Sequence, residues 1–240
     1  MDRSFVEQGY VVVPGFVGPE TIDALAVECS RLLELNRIGS DPRASSNSVF
    51  ETVGPLQLEG RPAARSQPEA YDAIRTAWPL TKEVRDVLFG EGMRTLVQEL
   101  LGTRSPVLFN DQYIVKESRS GSGGAFDWHR DSDSLLGATG ENTTTYLSVW
   151  VAIDDMTRAN GCLVVRPFGP SDREVHLEVA PGTAIVMSSM VEHSSGPNMT
   201  RFSRRAWMPQ FSVRPILHGG VGHPVSLSIP FPADQELTYT

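Results

Sequence analysis

Residues 143–153 read TTTYLSVWVAI, a run in which β-branched and aromatic side chains dominate and no charge intervenes. This is the composition of a β-strand. Working outward, the same character recurs in PVLFNDQYIVKE (106–117), GCLVVRP (161–167), EVHLEVA (174–180), GTAIVMSSM (182–190) and RRAWMPQFSV (204–213), with turn residues between the runs. Several short strands at such spacing predict a sandwich or small barrel for everything after Gly102.

Before Gly102 the pattern is helical. In VGPETIDALAVECSRLLEL (17–35), Ile22, Leu25, Ala26, Cys29, Leu32 and Leu33 fall at helical spacing behind Pro19, a favoured first-turn residue. Val84, Val87 and Leu88, then Met93, Leu96, Val97, Leu100 and Leu101, predict two more helices, with Gly102 as the stop. GYVVVPGF (9–16) predicts an opening strand able to join the later sheet. Residues 38–70 are rich in Ser, Pro, Gly and Ala, with at most one strand around SVFETV (48–53). Segments of that length are usually functional or mobile, and a lid there and a flexible mouth at SRSGSGG (118–124) are the roles open to them. No internal repeat is present. The expected architecture is mainly β with α elements, a helix-buttressed barrel in one domain spanning residues 1–240.

Composition narrows the partners. The chain carries a net charge of −8, and its 21 Lys and Arg residues form no basic run, which argues against nucleic acid and for a small-molecule substrate. The N-terminus lacks a signal-peptide layout and no apolar run reaches the length of a membrane span. Cys29 and Cys162 each sit in an apolar pattern and read as buried free thiols, in keeping with a reducing cytoplasm.

Of the five histidines, His176 falls on the outward parity of its strand, and His218 and His223 lie in the Gly-rich HGGVGH (218–223). None of these three reads as functional. His129 and His193 each end a β-like run beside a turn of small residues, at the rim of the predicted barrel. In an extended FDWHRDSD (126–133), side chains two apart share a face, so both Asp127 and Asp131 are candidates to work with His129. Two imidazoles and a carboxylate on one face of a metal suit Fe(II) oxygen chemistry, and zinc accepts the same set. Arg204 and Arg205 are adjacent on a strand, so one of them faces inward, where a guanidinium calls for a carboxylate.

WHRD (128–131), LSVWVAIDDMTRANGCLVV (147–165) and HSSGPNMTRFSRRA (193–206), with the opening GYVVVPGFVGPETIDAL (9–25), resemble the phytanoyl-CoA dioxygenase family of Fe(II)- and 2-oxoglutarate-dependent oxygenases. The resemblance runs in order through residues 5–211. It implies a double-stranded β-helix, a cupin-like jelly-roll barrel with helices packed on one side. It implies Asp131 as the carboxylate ligand with His129 and His193, and Arg204 gripping the distal carboxylate of 2-oxoglutarate with help from Ser195. Gln112, Lys116 and Trp150 occupy positions that in relatives line the cosubstrate site. Iron, 2-oxoglutarate and O₂ are thereby implied, with hydroxylation, desaturation or ring-forming oxidation of a small specialised metabolite favoured over halogenation, because relatives that halogenate lack the carboxylate ligand. One departure stands out: relatives commonly continue from NGCL into a Pro-Gly-Ser-His turn, whereas this chain reads VVRPFGPSD (164–172). A redox-silent zinc hydrolase, or a ligand-binding jelly roll, is the alternative use of such a site.

Overall fold

The computed structural model describes residues 3–39, 47–51, 82–119, 124–133, 145–169, 173–217 and 229–231. Two antiparallel sheets face one another. A short helix α1 (Arg3–Gln8) leads into β1 (Tyr10–Val13), then α2 (Pro19–Gly39), β2 (Asn47–Glu51), α3 (Lys82–Leu88) and α4 (Glu91–Leu101). The strands that follow are β3 (Val107–Lys116), β4 (Phe126–His129), β5 (Tyr146–Ala152), β6 (Leu163–Arg166), β7 (Val175–Leu177), β8 (Ala184–Ser188), β9 (Glu192–Ser195), β10 (Arg204–Ser212) and β11 (Ile229–Pro230). The major sheet runs β1-β8-β5-β10-β3-β11, with β2 also on β3, and the minor sheet runs β4-β9-β6-β7.

The unbroken apolar character of β5 has a structural reason: both faces of the major sheet are covered, and every residue from Tyr146 to Ala152 is buried. Leu147, Val149 and Val151 pack with Val186, Trp207 and Phe211 against Leu25, Cys29, Leu88, Met93, Val97 and Leu100 of the helices. Trp150 and Ala152 face the other way, with Ile185, Met187, Ala206 and Met208, onto Leu163, Val165 and Leu177 of the minor sheet. The period of two along each strand sorts side chains between these two interiors. Fully buried Trp207 belongs to the helix side, and truncating such a residue costs about 3–5 kcal/mol.

Helix α4 presents Met93, Val97 and Leu100 as one buried stripe and stops at Gly102, whose φ of 64° and N–H to the Gln98 carbonyl form the expected left-handed cap. The opening strand joins the later sheet, Tyr10 pairing with Met187. Of the 38–70 segment, β2 appears near the predicted strand, while residues 40–46 and 52–70 lie outside the described residues, as do His218, His223 and most of the 118–124 loop. His193 departs from expectation. It does not end the run through Met187; that strand stops at Ser188, the chain turns, and His193 lies within the separate strand β9 of the opposite sheet.

Candidate metal centre

His129 closes β4 and His193 sits on β9, where the two are cross-strand partners with ring centroids 4.3 Å apart. Each ring is oriented by its own backbone. Nδ1 of His129 lies 2.7 Å from the carbonyl of Asp127, and Nδ1 of His193 lies 3.1 Å from that of Val191. Carbonyls only accept, so both Nδ1 atoms carry the proton and both Nε2 lone pairs point away from the backbone.

A turn after β4 brings in the carboxylate. Ser132 N–H donates to the Ser189 carbonyl at 3.0 Å, and Asp133 caps the turn by accepting from Arg130 N–H at 3.2 Å. Asp131 Oδ1 thus lies 3.5 Å from Nε2 of His193 and 3.9 Å from Nε2 of His129. Ligand atoms of the three residues all fall within 4.8 Å of one another, the one such cluster among the described residues. Asp127 is exposed and contributes its backbone, not its carboxylate. A register shift in β4 between Phe126 and His129 explains why simple alternation does not separate the two aspartates. Burial, aided by His129 and opposed by Asp131, lowers the pKa of His193 and favours the neutral imidazole that a metal requires. Two inward Nε2 lone pairs and a carboxylate oxygen fit the two-His-one-carboxylate set of non-haem Fe(II).

On the same inner face, Arg204 and Lys116 are cross-strand partners of β10 and β3, 1% and 0% exposed. Arg204 donates from Nη2 to the Gly161 carbonyl at 2.6 Å, while its Nε and Nη1 are buried with no partner. Trp150 lies under the guanidinium, its ring centroid 5.4 Å from Cζ. The Lys116 ammonium is held by the carbonyls of Gly124, Gly196 at 2.7 Å and Ser195 at 3.4 Å. Burial, and then neighbouring Arg204, bring the Lys116 pKa down to about 7, and burial brings Arg204 to about 10. Two adjacent buried basic side chains, neither in an ion pair among the described residues, form an arrangement that a carboxylate would complete. Ser195 is buried on the same face of β9 as His193, and Gln112 is half-buried on the Lys116 face of β3. Arg205, on the opposite parity, instead clamps Asp154 with bonds of 2.7 and 2.9 Å and reaches the Ala26 carbonyl of α2.

The model of the phytanoyl-CoA dioxygenase family matches residues 5–206. The chain belongs to that family. With membership comes the class, non-haem Fe(II)- and 2-oxoglutarate-dependent oxygenase. The protein is 25% identical over 248 residues to a phytanoyl-CoA dioxygenase of Arabidopsis thaliana, the match covering 85% of this chain and 84% of that one. Among solved structures, its fold is similar to that of the carbocyclase SnoK from nogalamycin biosynthesis (TM-score 0.67, 16% identity, 95% and 93% of the two chains). The epimerase SnoN in complex with Fe3+, alpha ketoglutarate and nogalamycin RO gives a TM-score of 0.64 at 16% identity over 95% and 92%. EvdO2 from Micromonospora carbonacea var. aurantiaca, complexed with 2-oxoglutarate, gives 0.60 at 19% over 97% and 96%. No helix among the described residues of this family member is long and apolar enough to cross a membrane.

Two residues of the site are not singled out by sequence pattern. Ser148 donates to Asp131 Oδ2 at 2.7 Å, and Gln210 donates to Ser148 at 2.9 Å. Their signal is nonetheless present: each is a polar residue on the inward parity of an otherwise apolar strand.

Proposed function

We propose that His129, Asp131 and His193 hold one Fe(II), and that Arg204, with Ser195, Lys116, Gln112 and Trp150 around it, binds the distal carboxylate of 2-oxoglutarate. The observation that carries this reading is the pair of unpartnered buried nitrogens of Arg204 on the same inner face as the His-Asp-His cluster. A redox-silent hydrolase has no use for a buried cation pair beside its metal, which is why the zinc alternative is set aside.

Iron bound there supplies, with 2-oxoglutarate and O₂, an oxidant for unactivated C–H bonds, with release of succinate and CO₂. The chain's own residues do the rest by position. His129 and His193 offer their Nε2 atoms and Asp131 one oxygen on a single side, a set that would leave positions for cosubstrate and O₂. Arg204 and Lys116 fix the far end of the cosubstrate, so its orientation is set before reaction. Trp150, Met208 and Ala206 wall the interior against water.

The substrate is proposed to be a small specialised metabolite undergoing hydroxylation, desaturation or ring-forming oxidation. SnoK and SnoN, which share the fold, are enzymes of nogalamycin biosynthesis. A coenzyme A thioester is disfavoured because the chain is acidic, with a net charge of −8 and few lysines, whereas the phosphates of coenzyme A call for cationic partners. Residues 1–240 act as one domain in this reading, and the buried free thiols of Cys29 and Cys162 suit a reducing cytoplasm.

Succinate release from 2-oxoglutarate with Fe(II) tests the ligand assignment. Asp131→Ala is expected to abolish it and Asp127→Ala to leave most of it; equal loss in both would overturn the choice of carboxylate.

A further inference from the structure

A row of polar side chains crosses the inner face of the major sheet beneath Asp131, beside the apolar packing of Met208, Trp150 and Met187. Asn110 on β3, Gln210 on β10 and Ser148 on β5 are register neighbours across three adjacent strands, and all three are buried. Burying polar groups costs free energy unless their donors and acceptors are matched, so the row calls for a reason.

Its hydrogen bonds run in one direction. The main-chain N–H of Asp111 donates to Asn110 Oδ1 at 2.9 Å. A main-chain amide can only donate, so Asn110 must turn its oxygen there and its Nδ2 toward Gln210, whose Oε1 accepts at 3.1 Å. That orients the Gln210 amide in turn. Its Nε2 hydrogens go to Ser148 Oγ at 2.9 Å and, at a longer 3.4 Å, to Asp131 Oδ2. Ser148 has a single hydroxyl hydrogen, and with its oxygen already accepting from Gln210 that hydrogen goes to Asp131 Oδ2 at 2.7 Å. Each orientation follows from the one before, starting at an N–H whose polarity cannot be reversed.

We infer that Asn110, Gln210 and Ser148 are positioning residues, a one-way donor relay that engages Oδ2 of Asp131 and turns Oδ1, which lies 3.5 and 3.9 Å from the two imidazole Nε2 atoms, toward the metal. The inference rests on Asp131 being a ligand, as proposed above. A carboxylate bound through one oxygen takes one coordination position. Bound through both, it would take a further position that cosubstrate or O₂ needs.

Co(II) binding to the purified, metal-free full-length protein tests the relay without turnover. Ser148→Ala is expected to weaken Co(II) binding by about 10–100-fold, the usual effect of losing an outer-shell partner. Ser148→Thr, which keeps the hydroxyl, is expected to recover most of that loss. Gln210→Met should also weaken binding, and the double variant should lose less than the two single losses multiplied, because both act on the same oxygen. Wild-type or tighter Co(II) affinity in Ser148→Ala, or a Ser148→Thr no better than Ser148→Ala, would overturn the relay. If Ser148→Ala fails to fold, Gln210→Met decides: unaltered affinity overturns the relay, and a loss supports it. Asp131→Ala separates the two layers. Wild-type affinity in Asp131→Ala would sink the ligand assignment itself, whereas loss there with none in Ser148→Ala would sink the relay alone.

Discussion

Lys116 projects from β3 into the barrel, where three carbonyl oxygens and one guanidinium surround its ammonium. Burial and Arg204 lower its pKa from 10.5 to about 7, so between those values the unfolded chain binds the extra proton. The cosubstrate-free protein should therefore gain stability as pH rises from about 7 toward 10.5. In the proposed site, binding of the 2-oxoglutarate dianion would favour the ammonium and reverse that bias. Calorimetry of 2-oxoglutarate binding to metal-loaded protein, run at about pH 8 in buffers of different ionisation enthalpy, should detect uptake of close to one proton, against almost none at about pH 6. The same uptake in Lys116→Met would assign the proton elsewhere. Single residues of this kind are partly legible in the sequence. Strand parity allows either Arg204 or Arg205 to face inward, and spacing leaves Asp127 and Asp131 equal. Folding separates them through the β4 register shift and the turn held by Ser189, long-range contacts that no local pattern encodes.

The loop between β5 and β6 couples the cation pair to the backbone through Gly161. Its φ is 76°, and a Cβ built there would stand 2.2 Å from the carbonyl oxygen of Gly196, which itself accepts from Lys116. The Gly161 carbonyl accepts from Arg204. Gly161→Ala is therefore expected to cost at least about 1–3 kcal/mol in urea unfolding and to weaken 2-oxoglutarate binding in the same protein. Gly92→Ala serves as the contrast. That glycine lies in α4 with nothing within 4 Å of a Cβ, and the change should stabilise by about 0.5–1 kcal/mol. Equal behaviour of the two variants would remove the claim that Gly161 is held by a close approach. The long elements are legible in the sequence, because α2, α4, β3, β5 and β10 carry enough residues for a period to show. Strands β4 and β9 have four residues each, and β11 has two, too few for alternation to announce them. The proposed metal ligands sit on or beside the short ones.

Across the whole molecule, the major sheet is shared between a helix-side core and a barrel core, and the polar site interrupts only the second. In the proposed site, metal and cosubstrate would meet a preformed arrangement of β4, β9 and β10, so they should stabilise the folded protein as a unit. At about 100 times the dissociation constant, a ligand that binds only the folded state adds about 2.7 kcal/mol, visible as a raised unfolding midpoint with Mn(II) and 2-oxoglutarate. Arg204→Ala should forfeit most of the 2-oxoglutarate share and keep the Mn(II) share; loss of both would mean that Arg204 supports the fold rather than the ligand. The order of helices then strands is legible in composition, and the pairing of distant strands is carried by the family resemblance rather than by periodicity. The most direct test of the central claim is anaerobic: Fe(II) and then 2-oxoglutarate are added to metal-free protein, and the visible charge-transfer band of the chelate is recorded. The account predicts the band in the wild type and its absence in Asp131→Ala. A wild-type protein that shows no band yet binds Zn(II) tightly would contradict it.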